Sequence, residues 1–263
     1  MLGARVCRRV GVVFRTRVRA WACGRRARGA SGSWREAPAE RRFFMADGKI
    51  PEEFEVGAPV LVCRWRIQGG ELPAMNRHMR ALGKRMVLGK HLTPQLLGWV
   101  KQHVEWTLKD GSYEHPNGVL MLMTDELGRA AMAVGEYEPL ADTSLSALIE
   151  RAKASELEAG ETDVAPETIW VARGGSLVYG AGVGSVSSGA ASLVLDLAAT
   201  LGIPVERADS LAEDLEMGAA CDEAFLVSDE HGVVPASDAK GPMGERFAQS
   251  WGALLAKTAR AAK

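Results

Sequence analysis

The sequence predicts a mixed α/β protein in two domains, and three observations carry that reading. Apolar runs of strand length, bounded by Gly, Pro and Asp, alternate with segments of helical period. A stretch rich in Ala, Glu, Ser and Thr and poor in strand signal divides the chain at 138–166. Finally, 47% hydrophobic content over 263 residues gives enough apolar surface for a core on each side of that divide.

Residues 59–67 (PVLVCRWRI) read as a strand whose second half alternates apolar and basic, followed by a turn at Gln68-Gly69-Gly70-Glu71. Segments 75–87 and 94–109 have helical period, and the second sets Leu97, Val100, Val104 and Leu108 on one face. Runs 118–124 and 130–134 bracket a polar turn and predict a hairpin. Residues 45–138 are therefore expected to form a small α+β domain, and 139–165 a connection holding one helix over 145–158. The rest, 166–263, reads as an α/β domain. In it, 167–172 and 176–179 pair across Arg173-Gly174-Gly175, whose glycines suit a tight hairpin turn. A Gly/Ser-rich loop, 180–189, then leads into a helix at 190–200, a short strand at 203–206, a helix at 211–217 and a buried strand at 223–228. A last helix, 244–262, ends in Lys257, Arg260 and Lys263, which complement its dipole.

Charge is unevenly placed. Residues 1–42 hold twelve of the 32 basic residues, all arginine, against Glu36 and Glu40 alone; the remainder carries twenty bases and 31 acids. An acidic body argues against a partner bound through a phosphate backbone. The first segment, 1–44, interleaves Arg with Val, Phe and Trp and resembles an organelle transit peptide, drawn to anionic membranes and along a negative-inside potential. The scarcity of Ser and Thr favours a mitochondrion over a plastid, with processing expected between Arg41 and Met45. Cys63 and Cys221 remain beyond it, two isolated thiols that fit a reducing compartment and small core positions. No run of 18 apolar residues is present, so no transmembrane span is expected.

The loop ahead of residue 190 has two readings. Free N–H groups and the helix dipole make it a potential anion site; alternatively, Ser188 is an N-cap at the end of a plain connection. Its spacing matches neither GxxxxGK[ST] nor a nucleotide-binding GxGxxG. His78, His91, His103, His115 and His231 have no metal-ligand spacing and read as surface or cap residues.

Several stretches together resemble the fold-type IV pyridoxal-phosphate enzymes, the branched-chain and D-amino-acid aminotransferases and aminodeoxychorismate lyase. ASLVLDLAATLGIPVER followed by DEAFLVSDEHGVVP is similar to the C-terminal half of that family, and ETIWVARGGSLVY to the hairpin before it. GAPVLVCRWRIQGGELPAMNRHMRAL resembles its N-terminal strand, turn and His-containing helix, and NGVLMLMTDELGRAAMAVGEYEPL its second hairpin. The resemblance, over roughly 55–250, implies a D-amino-acid-aminotransferase-like α/β architecture with pyridoxal phosphate in the interdomain cleft, held by a lysine and through its phosphate.

This chain departs from the family at those positions. Between Lys109 and Lys240 the only lysine is Lys153, in a Glu-rich helical stretch. The phosphate arginine corresponds to Ala81, with Arg80 one position off. Gly-Ile-Thr at the helix start becomes Ser188-Gly189-Ala190 or Gly189-Ala190-Ala191, and Thr-Gly-Thr after the buried strand becomes Val227-Ser228-Asp229 with Glu230 next. Asp163 stands near the glutamate that holds the cofactor nitrogen. The pocket positions are thus Arg80, Ser188, Gly189, Ala190, Ser228 and Asp229. The reading that follows is an aminotransferase-like pseudoenzyme with no expected cofactor or metal, an accessory subunit of a mitochondrial complex or a homodimer. An active transaminase or lyase using Lys153 and pyridoxal phosphate, and a cofactor-free small-ligand module, are the alternatives.

Overall fold

A computed structural model describes residues 58–111 and 114–261; the segment 1–44 expected to act as a transit peptide lies outside the described residues. In chain order the first unit comprises β1 (Pro59–Arg66), α1 (Met75–Leu82), β2 (Met86–Val87), β3 (Lys90–His91), α2 (Pro94–Gly111), β4 (Val119–Asp125) and β5 (Ala130–Gly135). Strands β1, β4 and β5 form an antiparallel sheet in that order. One face buries Leu61, Cys63, Trp65 and Ile67 against Leu96, Val100 and Val104 of α2. The other face, set by the two-residue period of β1, carries Val62, Arg64 and Arg66.

One segment differs from the sequence expectation. The helix predicted over 75–87 stops at Leu82, and Met86–Val87 instead pairs with Lys90–His91. Leu88 and Gly89 both take positive φ (51° and 73°), the geometry of a two-residue hairpin turn. Apolar Met86 and Val87 fit a helical period as well as a strand, so periodicity could not separate them.

The second unit runs through α3 (Leu145–Thr162), β6 (Val164–Ala165), β7 (Glu167–Arg173), β8 (Ser176–Gly180) and β9 (Val186–Ser187), then α4 (Gly189–Thr200) and β10 (Val205–Arg207). It ends with α5 (Leu211–Glu216), β11 (Glu223–Ser228), β12 (Gly232–Pro235) and α6 (Pro242–Ala261). Its sheet has the order β10-β8-β7-β11-β12, with β10 parallel to β8 and the other pairs antiparallel. β12 is a strand that the sequence reading passed over as turn residues; it pairs with β11 through Ser228 and Gly232.

Helices cover both faces of this sheet. Ile169, Val171, Ala224 and Leu226 pack with Leu148, Ile149 and Ala152 of α3 and with Leu211 and Leu215 of α5. The alternate positions, Trp170, Tyr179, Phe225 and Val227, pack with Ala190, Ala191 and Val194 of α4 and Phe247 and Trp251 of α6. Burial on both sides explains why β7 and β11 read as continuous apolar runs. Thus α3, which falls in the expected connection, forms part of the second unit's outer layer. Cys63 is buried and Cys221 half-buried, both as free thiols.

Gly232 starts β12 with φ +73°, and a Cβ there would run into the indole of Trp251. Gly128, in the β4–β5 turn, has nearly the same φ (+72°) with open space around it. Gly128→Ala should therefore cost only the left-handed backbone penalty, about 1–2 kcal/mol, and Gly232→Ala about 1–3 kcal/mol more from overpacking. Urea unfolding of the two variants checks this; equal losses would mean that Trp251 does not hold β12.

Candidate functional site

Three residues join β11 to β12: Asp229, Glu230 and His231. Ser228 Oγ closes the turn by accepting the N–H groups of Glu230 at 3.2 Å and His231 at 3.1 Å, and donates to Glu167 Oε1 at 2.8 Å. This turn delivers Asp229, 4% exposed, to the N-terminus of α4. There its Oδ1 accepts the Ala190 N–H at 2.8 Å and lies 3.6 Å from Nδ1 of the buried His78 on α1. The Asp229 backbone is committed too: its carbonyl accepts from Arg66 N–H and its N–H donates to Pro166 O, both at 3.1 Å.

Burial opposes ionisation of Asp229, but nearby His78, the Ala190 N–H and the charge of Arg85 outweigh it and hold the carboxyl below the usual carboxylate range. Arg85 is itself buried; its Nη1 donates to Glu158 Oε1 at 2.7 Å and to Thr162 Oγ1 at 3.2 Å. Neighbouring Cys63 is pushed by burial up to about 11, so its thiol is uncharged at neutral pH. Glu158 and Asp229 are then the anions that face Arg85. A third link across the cleft is Arg77, which donates to Ser192 O at 3.2 Å and pairs with Asp196 Oδ2 at 2.7 Å.

The structure brings together Ser188, Gly189, Ala190, Ser228 and Asp229. Ser188 caps α4, its Oγ accepting the Ala191 N–H at 3.2 Å. Gly189 must lack a side chain, because the His78 ring stands where its Cβ would be. Arg80 and Lys153 lie elsewhere. Arg80 is exposed, its Nε donating to Asn76 O at 3.3 Å one helical turn back; the arginine of α1 that bonds to α4 is Arg77. Lys153 sits in the α3–α5 layer, on the sheet face opposite α4, bound to both oxygens of Glu216 at 2.8 and 2.9 Å. Those bonds raise its pKa and keep it protonated. Asp163 ends α3 as a left-handed cap, φ 65°.

His78 is a correction to the sequence reading, which placed all five histidines at the surface or at caps: it is 1% exposed and lies at the centre of the site. The available signal was its place on a helix preceded by the alternating strand, not any ligand spacing. Among the described residues no group of three or more His, Cys, Asp or Glu side chains is placed to hold a metal.

Pyridoxal phosphate requires an open anion site and an amine that is unprotonated when it reacts. The residues present do not fit it. Asp229 already takes the N–H at the start of α4, a phosphate dianion beside it would be repelled by several kcal/mol, and Lys153 is charged and turned to another face.

Among solved structures, a hypothetical aminotransferase from Mycobacterium tuberculosis in its PLP-bound form is similar to this chain with a TM-score of 0.55 at 13% identity. The match covers 82% of this chain and 99% of that one. The same protein in its alpha-ketoglutarate- and PMP-bound form gives 0.51 at 13% identity, and its apo form 0.51 at 12%, with the same coverage. The fold is that of the fold-type IV aminotransferases. No family profile matches the sequence, and no curated protein matches it significantly. The aminotransferase-like architecture that the resemblance implied is thus present, and the match spans 99% of that solved chain.

Because the folded-state pKa of Asp229 is depressed, its stabilisation is complete above the unfolded value of about 3.9 and is lost as pH falls through the folded value. Asp229→Asn should cost about 3–5 kcal/mol at pH 7, since it leaves Arg85 and His78 facing a neutral group. It should also flatten the loss of stability below pH 4. Urea unfolding across pH 2–7 reads both effects.

Proposed function

We propose that the protein is a non-catalytic member of the aminotransferase fold, retained as an accessory subunit of a mitochondrial assembly. The observation that carries this reading is Asp229: a carboxylate of the chain itself occupies the helix N-terminus at which an anionic cofactor group would have to bind. Fold does not determine function, so the reading rests on this site and not on the relatives. The Arg-rich, acid-poor segment 1–44 supports delivery to mitochondria, and no described helix is long and apolar enough to cross a membrane. The packed layers on both faces of the second unit's sheet are what selection on shape would preserve.

An active transaminase or lyase is the competing reading, favoured only by the PLP- and PMP-bound forms of the structural relative. It requires Lys153 to break from Glu216 and lose a proton.

The purified chain mixed with pyridoxal phosphate should give no internal-aldimine absorbance, and Lys153→Ala should leave the spectrum unchanged. A Lys153-dependent band would overturn the non-catalytic reading. Tagged protein recovered from mitochondria should sediment with a large complex; recovery only as a lone dimer would contradict the accessory role.

A further inference from the structure

Glu156 lies outside the site around Asp229, where α3 meets the start of α5 and the loop between β8 and β9. Its Oε1 is buried without a hydrogen-bond partner. Three elements close there on the bare Cα of Gly180: a Cβ at that position would stand 2.9 Å from Leu211 Cβ, 3.1 Å from Ala208 O and 3.5 Å from Glu156 Oε1. A Cβ on Gly182 would in turn stand 3.3 Å from Glu156 Cβ. The Glu156 side chain is thus wedged between α3, the β8–β9 loop and the turn that opens α5.

The charges around it are unbalanced. Glu213 in the first turn of α5 and Asp209 in the β10–α5 turn face Glu156 with like charge, and Lys153, one turn back on α3, opposes them. Lys153 already holds both oxygens of Glu216, at 2.8 and 2.9 Å, with Glu150 at 3.5 Å. Arg207 of β10 donates to Asp209 Oδ1 at 2.6 Å and to Ser185 O and Gly182 O, both at 2.7 Å. With both cations committed, an ionised Glu156 would place a buried carboxylate oxygen without a donor beside two like charges, whereas the neutral carboxyl is far easier to bury. Burial first, then Glu213 and Asp209, outweigh Lys153 and push the carboxyl up to about 7. The element free to yield is α5: it has six residues, and its Ser210 N-cap makes no side-chain hydrogen bond to the helix backbone.

We propose that Glu156 is a proton-operated latch: protonated, it lets α5 and the β8–β9 loop close on α3, and ionised, it loosens α5 from that junction. Because the carboxyl titrates higher in the closed form than when exposed, its contribution is full below the exposed value of about 4.3 and is lost as pH rises through about 7. The latch lies on the sheet face opposite α4, and it operates independently of the proposed accessory role.

The test follows amide hydrogen exchange of α5 in the full chain by NMR between pH 5 and 9, corrected for the intrinsic pH dependence of exchange. Suitable probes are the Asp214 and Met217 N–H groups, which donate to Ser210 O and Glu213 O. One linked proton changes an opening constant by at most about 10-fold per pH unit, so opening should rise at least about 10-fold from pH 5.5 to 7.5 and level off above pH 8. In Glu156→Gln, neutral at every pH, the rise should vanish and α5 should stay protected at pH 7.5. If Glu156→Gln does not fold, Glu213→Gln, which removes a like charge from an exposed position, should move the midpoint to lower pH. Opening that does not depend on pH in the native chain, a rise that persists in Glu156→Gln, or a midpoint unmoved in Glu213→Gln would each overturn the proposal.

Discussion

The Asp229 carboxylate at the start of α4 is the constraint on which the rest of the cleft depends. A helix N-terminus holds roughly half a positive charge and unsatisfied N–H groups. Here an internal carboxylate supplies the anion, and the same residue uses both backbone groups to bind β1 and the start of β7. Strand β1, helices α1 and α4 and strand β11 therefore converge on one residue. Because this anion is tethered to the chain, it reaches the helix without the entropy cost of binding a free one, and it links β11 to β1 and α4.

The surrounding ion pairs act in the same direction. Arg85 crosses from the segment between α1 and β2 to Glu158 of α3, and Arg77 crosses from α1 to Asp196 of α4. A buried pair such as Arg85–Glu158 adds little net stability compared with an apolar contact, but breaking it is costly, so it specifies the arrangement of the two units. The solved aminotransferase structure shares the fold; in this chain Asp229 holds the N-terminus of α4, and buried arginine nitrogens beside it have no hydrogen-bond partner.

Much of this was legible in the sequence. The doubly buried strands β7 and β11 announced themselves as apolar runs, the Arg173-Gly174-Gly175 turn as a hairpin, and Ser188-Gly189 as a helix start. The short elements were not: β2 and β3 have two residues each, and β12 opens on the Gly232 that marked a break. Local pattern carries no information on pairing for such pieces; long-range packing decides it. At the site, Asp229 could be read as a carboxylate where the resemblance implies a hydroxyl, yet its bond to Ala190 N–H could not, because the partners lie 39 positions apart. His78 and Arg85 stayed hidden for a related reason: a polar residue on an amphipathic segment looks like a solvated one until the opposing unit covers it. Arg80 and Lys153 show the converse, residues of suitable chemistry that the fold turns toward solvent or toward another acid.

The most direct test of the central claim is the ionisation of Asp229 in the folded chain, followed by carboxyl-carbon NMR as pH is lowered. The account predicts that Asp229 titrates below the usual carboxylate range, because it is held charged against the α4 N-terminus, His78 and Arg85. Titration at or above about 3.9, the value of an unperturbed aspartate, would mean that the carboxylate does not serve as the anion of this helix.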